Sequence, residues 1–260
     1  MRRAEQEAVD FCVLANEYQT IAREAQQARF DELLGRCGLG QDELAQLRAS
    51  AAYGPLLAAL REAEARGLEV GPALPGLVSG RPMDDTQDLA AVLHSRMDRW
   101  MASAPRSDRE ADLVAGLVPR ALGVTDPDMA RALHEREVAM AHRARELAEA
   151  AVQGGEPWAL RLGPPPSEPA RRETWWHAVS TVAAYREGWH IEADGHHLAS
   201  GEPVEGLQDL VYLRRAQAAV RCARTLVETS SRAEIGEHTF APTGGQDTVA
   251  SVGGGPIFGL

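Results

Sequence analysis

The chain has 260 residues, of which 44% are hydrophobic, 25% charged and 5% aromatic, enough apolar material for one sizeable core or two small ones. Its formal net charge of −11 opposes general binding to a phosphate backbone, so a nucleic-acid contact needs a local basic patch. All 27 basic residues are Arg, and without Lys a phosphate-binding loop of the GxxxxGKS/T kind is excluded.

The N-terminal string MRRAEQEAVDFCVLAN is broken by Glu5, Glu7 and Asp10 and does not read as a signal peptide. Nothing approaches the ~20 apolar residues of a membrane span. Cys12, Cys37 and Cys222 are far apart and odd in number; they read as reduced thiols serving as small core residues. The expectation is a soluble, cytoplasmic protein without membrane insertion.

Residues 3–35 are predicted to form a long helix with an apolar stripe through Val9, Cys12, Val13, Ala15, Tyr18, Ile21, Ala22, Ala25 and Ala28, stopped by Gly35 and Gly38. Short helices follow in QDELAQLRAS and GPLLAALREAEARG, where Pro55 suits a first turn and Gly67 a C-terminal cap. GPALPGLVSG adds a further turn or two. Residues 84–102 read as a helix with an Asp or Thr cap and a stripe through Leu89, Val92, Leu93, Met97 and Trp100 or Met101. SAPRSDRE then marks a boundary between an N-terminal helical region, 1–103, and a C-terminal one, 104–232.

Residues 125–153 carry the clearest helix, with Asp126 as N-cap, Pro127 at the first position and Gly154-Gly155 beyond the end. Its stripe runs through Met129, Leu133, Met140, Ala144, Leu147 and Ala151. GPPPSEP is an extended link, and Ser167 and Pro169 open the next helix. There, WWHAVSTVAAYREGW places Trp175, Ala178, Val179, Val182, Tyr185 and Trp189 on one face, a structural seam with Trp175, Val179, Val182, Tyr185 and Trp189 as core. After a loop at 190–206, residues 206–232 form an Arg-rich last helix, and 233–260 read as a disordered Gly-rich tail. The fold class is all-α, a multi-helix bundle with possible division into two layers.

Candidate chemistry is sparse. His190, Glu192, Asp194, His196 and His197 are the best metal ligands on offer, but adjacent His on one loop rarely converge on one ion, and the loop reads as solvated. Asp84, Asp85 and Asp88 precede an apolar helix and read as capping groups rather than an acid–base pair. His94, His134 and His142 lie in helices without marked partners. Tyr18, a conceivable nucleophile toward DNA, sits on an apolar stripe without a His cluster, which favours packing. On the last helix Arg214, Arg221 and Arg224 approach one face beside Arg215, a basic stripe able to meet phosphates, and Trp176 lies off the seam where it could stack on a base. The terminal PIFGL is an apolar string that a partner groove could take.

Four strings, in order, carry a resemblance: DLAAVLHSRMDRW (88–100), LVAGLVPRALGVTDPDMARALHERE (113–137), PWALRLGPPPSEPARRETWWHAVSTVAAYREGWHI (157–191) and LRRAQAAVRCAR (213–224). Together they resemble the C-terminal region of conjugative relaxase-helicase proteins of the MobF class (TrwC/TraA type). Members of that class carry a metal-dependent DNA nickase with a catalytic Tyr and a His triad, then a helicase with Walker motifs. None of those motifs is present in these 260 residues, so the resemblance transfers no catalytic, cofactor-binding or metal-ligating residue. It implies a non-catalytic, cofactor-free helical module that docks protein components of the relaxosome or secretion channel. The alternatives are a DNA-binding accessory protein using Arg214, Arg215, Arg221, Arg224 and Trp176, and a metal-dependent enzyme built on the 190–197 loop.

Overall fold

The structure, a computed structural model, describes residues 10–80, 88–104, 111–191, 198 and 207–239, with the side chains of the last helix described over 210–230. Helix α1 (Phe11–Arg36) starts where the Asp10 carboxylate accepts the Cys12 N–H, and the Phe11 N–H donates to Glu187 Oε2 at 2.9 Å. α2 (Gln41–Ala49), α3 (Tyr53–Ala65) and α4 (Val70–Ser79) follow through tight turns. Gly67 takes φ +73 at the end of α3, as a left-handed C-terminal cap requires. α5 (Leu89–Ser103) is capped by Asp88, which accepts the N–H groups of Ala90 and Ala91; Asp84 and Asp85 lie outside the described residues.

A small antiparallel hairpin, β1 (Leu113–Val114) with β2 (Val118–Pro119), precedes the second half. α6 (Pro127–Gly154) is capped by Asp126, has Pro at its first turn, and ends at Gly155 in the left-handed region. α7 (Pro157–Leu160) is one turn; α8 (Pro169–Gly188) and α9 (Leu207–Thr239) complete the chain of elements. The protein is all-α, and among the described residues no helix is long and apolar enough to cross a membrane.

Three buried clusters hold these elements. Phe30 and Leu34 at the end of α1 pack with α2–α5. Phe11, Ala15, Tyr18 and Ala22 at its start pack with the hairpin, α6 and the ends of α8 and α9. Trp158, Leu162, Trp175, Val179 and Val182 form the third cluster with α6 and α9. α1 thus belongs to two cores, and its buried stripe is Phe11, Ala15, Tyr18, Ala22, Gln26, Phe30, Leu34. The stripe expected through Cys12, Val13 and Ala28 is displaced: Val13 is 40% exposed and Ala28 is exposed, because the partner helices lie on the Phe11 side. Nor are the thiols core residues, since Cys12 and Cys37 are half-buried and Cys222 is exposed.

α8 also differs from the expected one-sided seam. Every residue from Ala178 to Arg186 is buried, because α6 and α9 flank the helix while α1 and the hairpin turn close over its C-terminal half. Trp175, Val179, Val182 and Tyr185 are core as expected. Trp189 instead caps the helix from outside it, half-buried and stacked on Tyr185 at 4.5 Å. Glu168 rather than Ser167 is the N-cap of α8. α9 continues to Thr239, so residues 233–239 of the expected tail are helical, while 240–260 lie outside the described residues.

Tyr18 is fully buried and ties three elements together. Its hydroxyl donates to Glu137 Oε1 at 3.0 Å and accepts the Ala121 N–H at 2.8 Å. Burial, reinforced by the Glu137 carboxylate, holds its phenol well above the ordinary tyrosine value, and burial with the Asp31 hydrogen bond does the same for Tyr53. A group whose proton is held more tightly when folded stabilises the fold fully below its unfolded pKa, about 10 for Tyr, and that contribution disappears as pH rises through the folded value. The urea midpoint should therefore fall steadily above about pH 10. Tyr18→Phe should be less stable at neutral pH yet show a shallower decline in alkali; parallel declines would show that Tyr18 is not the linked group.

Candidate functional site

A cleft of about 970 Å³ opens between α1, α3, α5 and the beginning of α9, with Pro119 of the hairpin also in its lining. Helical spacing builds its walls. α1 contributes Asn16, Gln19, Thr20 and Arg23, one face at i, i+3, i+4 and i+7; α5 contributes His94, Asp98, Met101 and Ala102 in the same manner. From α3 come Pro55, Ala58, Arg61 and Glu62, with Arg66 at its C-cap, and from α9 Leu210, Val211, Tyr212, Arg214 and Arg215.

The lining holds five arginines, Arg23, Arg61, Arg66, Arg214 and Arg215, against two carboxylates, Glu62 and Asp98. Glu62 is already engaged. Arg215 Nη2 donates to both its oxygens at 2.7 and 2.6 Å, Arg66 Nε reaches Oε1 at 2.8 Å, and Arg215 also donates to the Leu117 carbonyl. Asp98 stands 3.8 Å from His94. The cleft is therefore a local positive site on a chain of net charge −11.

Arg61 is the unusual member. Only 5% of it is exposed, and its Nε donates to Gln26 Oε1 at 2.9 Å, a neutral acceptor that in turn donates from Nε2 to the Leu122 carbonyl at 2.7 Å. Its two terminal nitrogens have no hydrogen-bond or ion-pair partner among the described residues, yet neither is sealed from solvent; they open on the cleft that Arg61 lines. Burial, with the like charge of Arg23 adding to it, pushes the guanidinium down from the ordinary arginine value. A buried cation held this way is costly unless an anion completes it.

The residues expected to meet nucleic acid do not act as one set. Arg214, Arg221 and Arg224 are exposed along α9. Arg215, at 12% side-chain exposure, is bound to Glu62. Trp176 is half-buried, meets Trp175 edge-on at 5.0 Å and carries the Arg145 guanidinium over its ring at 4.5 Å. That ring face is occupied. His190 is exposed at φ +49, while Glu192, Asp194, His196, His197 and the PIFGL string lie outside the described residues, among which no cluster of potential metal ligands occurs.

No family model, curated protein or solved structure matches this chain. The site therefore rests on its own chemistry. Arg23, Arg61 and Arg66 were not singled out from sequence, although a signal exists. Leu57, Arg61 and Ala65 share one buried stripe of α3 at i, i+4 and i+8, as Ala22, Gln26 and Phe30 do on α1. A charged residue in one apolar stripe, Arg61, and a polar one in the other, Gln26, mark a buried polar contact between the two helices.

Proposed function

We propose that the chain is a non-catalytic helical binding module of conjugative DNA transfer, docking relaxosome or secretion-channel components, with the arginine-lined cleft as its working site. The observation that carries the reading is Arg61, a buried guanidinium whose terminal nitrogens, unpaired among the described residues, open into a cleft richer in cations than in anions. The link to conjugation rests on the resemblance. What supports it is that the resembling strings build the scaffold: Trp158, Leu162, Trp175, Val182 and Tyr185, all within the longest string, are interior. Residues kept for packing would be shared by related modules even where surfaces differ.

In-frame deletion of this coding segment should sharply lower DNA transfer between mating cells, and the intact chain supplied in trans should restore it. Undiminished transfer would sink the conjugation reading. The exposed Arg214, Arg221 and Arg224 favour a second reading, DNA binding along α9, which requires strongly salt-dependent retention of single-stranded DNA. No retention at low salt would remove it.

A further inference from the structure

We infer that the cleft is a site for a small organic phosphate, whose phosphoryl group is received by the terminal nitrogens of Arg61 with Arg23 and Arg214 beside it. This takes the cleft as the binding site, as the reading above does, but adds the chemistry of what enters it.

Three observations converge on that class. The first is the vacancy in Arg61's hydrogen bonding. Its Nε is fixed by Gln26 at 2.9 Å, so the planar fork is pre-oriented with two donor nitrogens that meet no acceptor among the described residues. A guanidinium held in that way is matched to a tetrahedral or planar oxyanion, to which it donates in a bidentate manner. The second is the count of charge. Arg66 and Arg215 are spent on Glu62, whereas among the described residues Arg23, Arg61 and Arg214 have no ion-pair partner, Arg61 feeling only the more distant Glu64 carboxylate, which is itself paired with Arg29. Three unspent cations exceed what one carboxylate neutralises, and they suit a phosphomonoester, which approaches two negative charges near neutral pH. The third is the remainder of the wall. Pro55, Ala58, Met101, Leu210 and Val211 line the same cleft, an apolar surface of no use to inorganic phosphate alone but suited to the body of an organic ester. The volume falls in the range of pockets that hold small ligands.

Isothermal titration of the full chain with inorganic phosphate, phenyl phosphate and benzoate tests this. Phenyl phosphate should bind most tightly, inorganic phosphate more weakly for want of the apolar contact, and benzoate weakest. Arg61→Met should weaken phenyl phosphate binding by about tenfold or more, as expected for loss of charge-assisted hydrogen bonds. Arg214→Ala, at an exposed position, should weaken it several-fold, and Arg131→Ala, a surface pair on α6 with Asp128, should leave it unchanged.

Absence of saturable binding by either phosphate overturns the inference, as does equal binding of all three anions. If Arg61→Met does not fold by circular dichroism, unaltered affinity in both Arg23→Ala and Arg214→Ala overturns it instead. The two readings fail separately. No phosphate binding together with a transfer defect in Arg61→Met cells removes the ligand and keeps the cleft; phosphate binding with undiminished transfer keeps the ligand and removes the conjugation role.

Discussion

Tyr185→Ala is expected to lower stability by about 3–5 kcal/mol, the usual cost of deleting a buried aromatic ring, and to lower Tm by roughly 10 °C for a chain of this size. The ring is 2% exposed in the part of α8 that is buried on all sides. It stacks on Trp189 with planes 19° apart, and Trp189 in turn lies 5.3 Å from Tyr212 on α9. Removing it leaves a cavity against α9 and deprives Trp189 of its stacking partner. Tyr185→Phe keeps the ring and should lose far less. Because Tyr212 lines the cleft, the Ala variant should also weaken phenyl phosphate binding, whereas Arg61→Met weakens it without the same loss of Tm. An unchanged melting curve for Tyr185→Ala would mean that the aromatic string is not what joins α8 to α9.

Local chemistry made the helices legible. Asp126, Pro127 and Gly155 bound α6 because a cap, a fixed φ and a left-handed terminus are decided within a few residues. The face a helix buries is decided elsewhere. In α1 the periodicity admits both a Cys12–Val13 side and a Phe11–Ala15 side, and the choice follows from where α6 and α3 lie. In α8 even the idea of one face fails: Ser180 and Thr181 are buried among apolar neighbours because neighbours cover the helix all round, and small residues permit that closeness without announcing it.

The cleft was legible only at its α9 wall. Arg214 and Arg215 are neighbours in a basic stripe of the sequence, yet the fold separates them, sending Arg215 to Glu62, 153 residues away in sequence, and leaving Arg214 exposed. The pairing that matters most, Arg61 with Gln26, joins two helices 35 residues apart. Its place inside an apolar stripe is the local sign that sets Arg61 apart in a chain that has no Lys; its significance comes from what does not neutralise it.

Gly116→Ala is expected to destabilise by about 2–4 kcal/mol, and the reason is divisible. Gly116 lies at φ +71 in the hairpin turn, where an L side chain adds about 1 kcal/mol or more of backbone strain. A Cβ there would stand 2.1 Å from Thr181 Oγ1 and 2.9 Å from its Cγ2, and Thr181, 3% exposed in the enclosed part of α8, has no space to turn into, so about 1–3 kcal/mol of overpacking is added. The double variant Gly116→Ala/Thr181→Ala removes both clashing atoms and leaves the backbone term. It should recover the overpacking share, a coupling of about 1–2 kcal/mol in a double-mutant cycle; simple additivity of the two losses would show that the turn moves away from α8 freely. The consequence reaches the cleft, because the next residue, Leu117, offers its carbonyl to Arg215. A hairpin pushed off α8 weakens the hold on Arg215, and with it the placing of a cleft wall that Arg215 and Pro119 both line. Phenyl phosphate binding should therefore weaken in Gly116→Ala and return in part with Thr181→Ala, tying the packing of the central helix to the shape of the site.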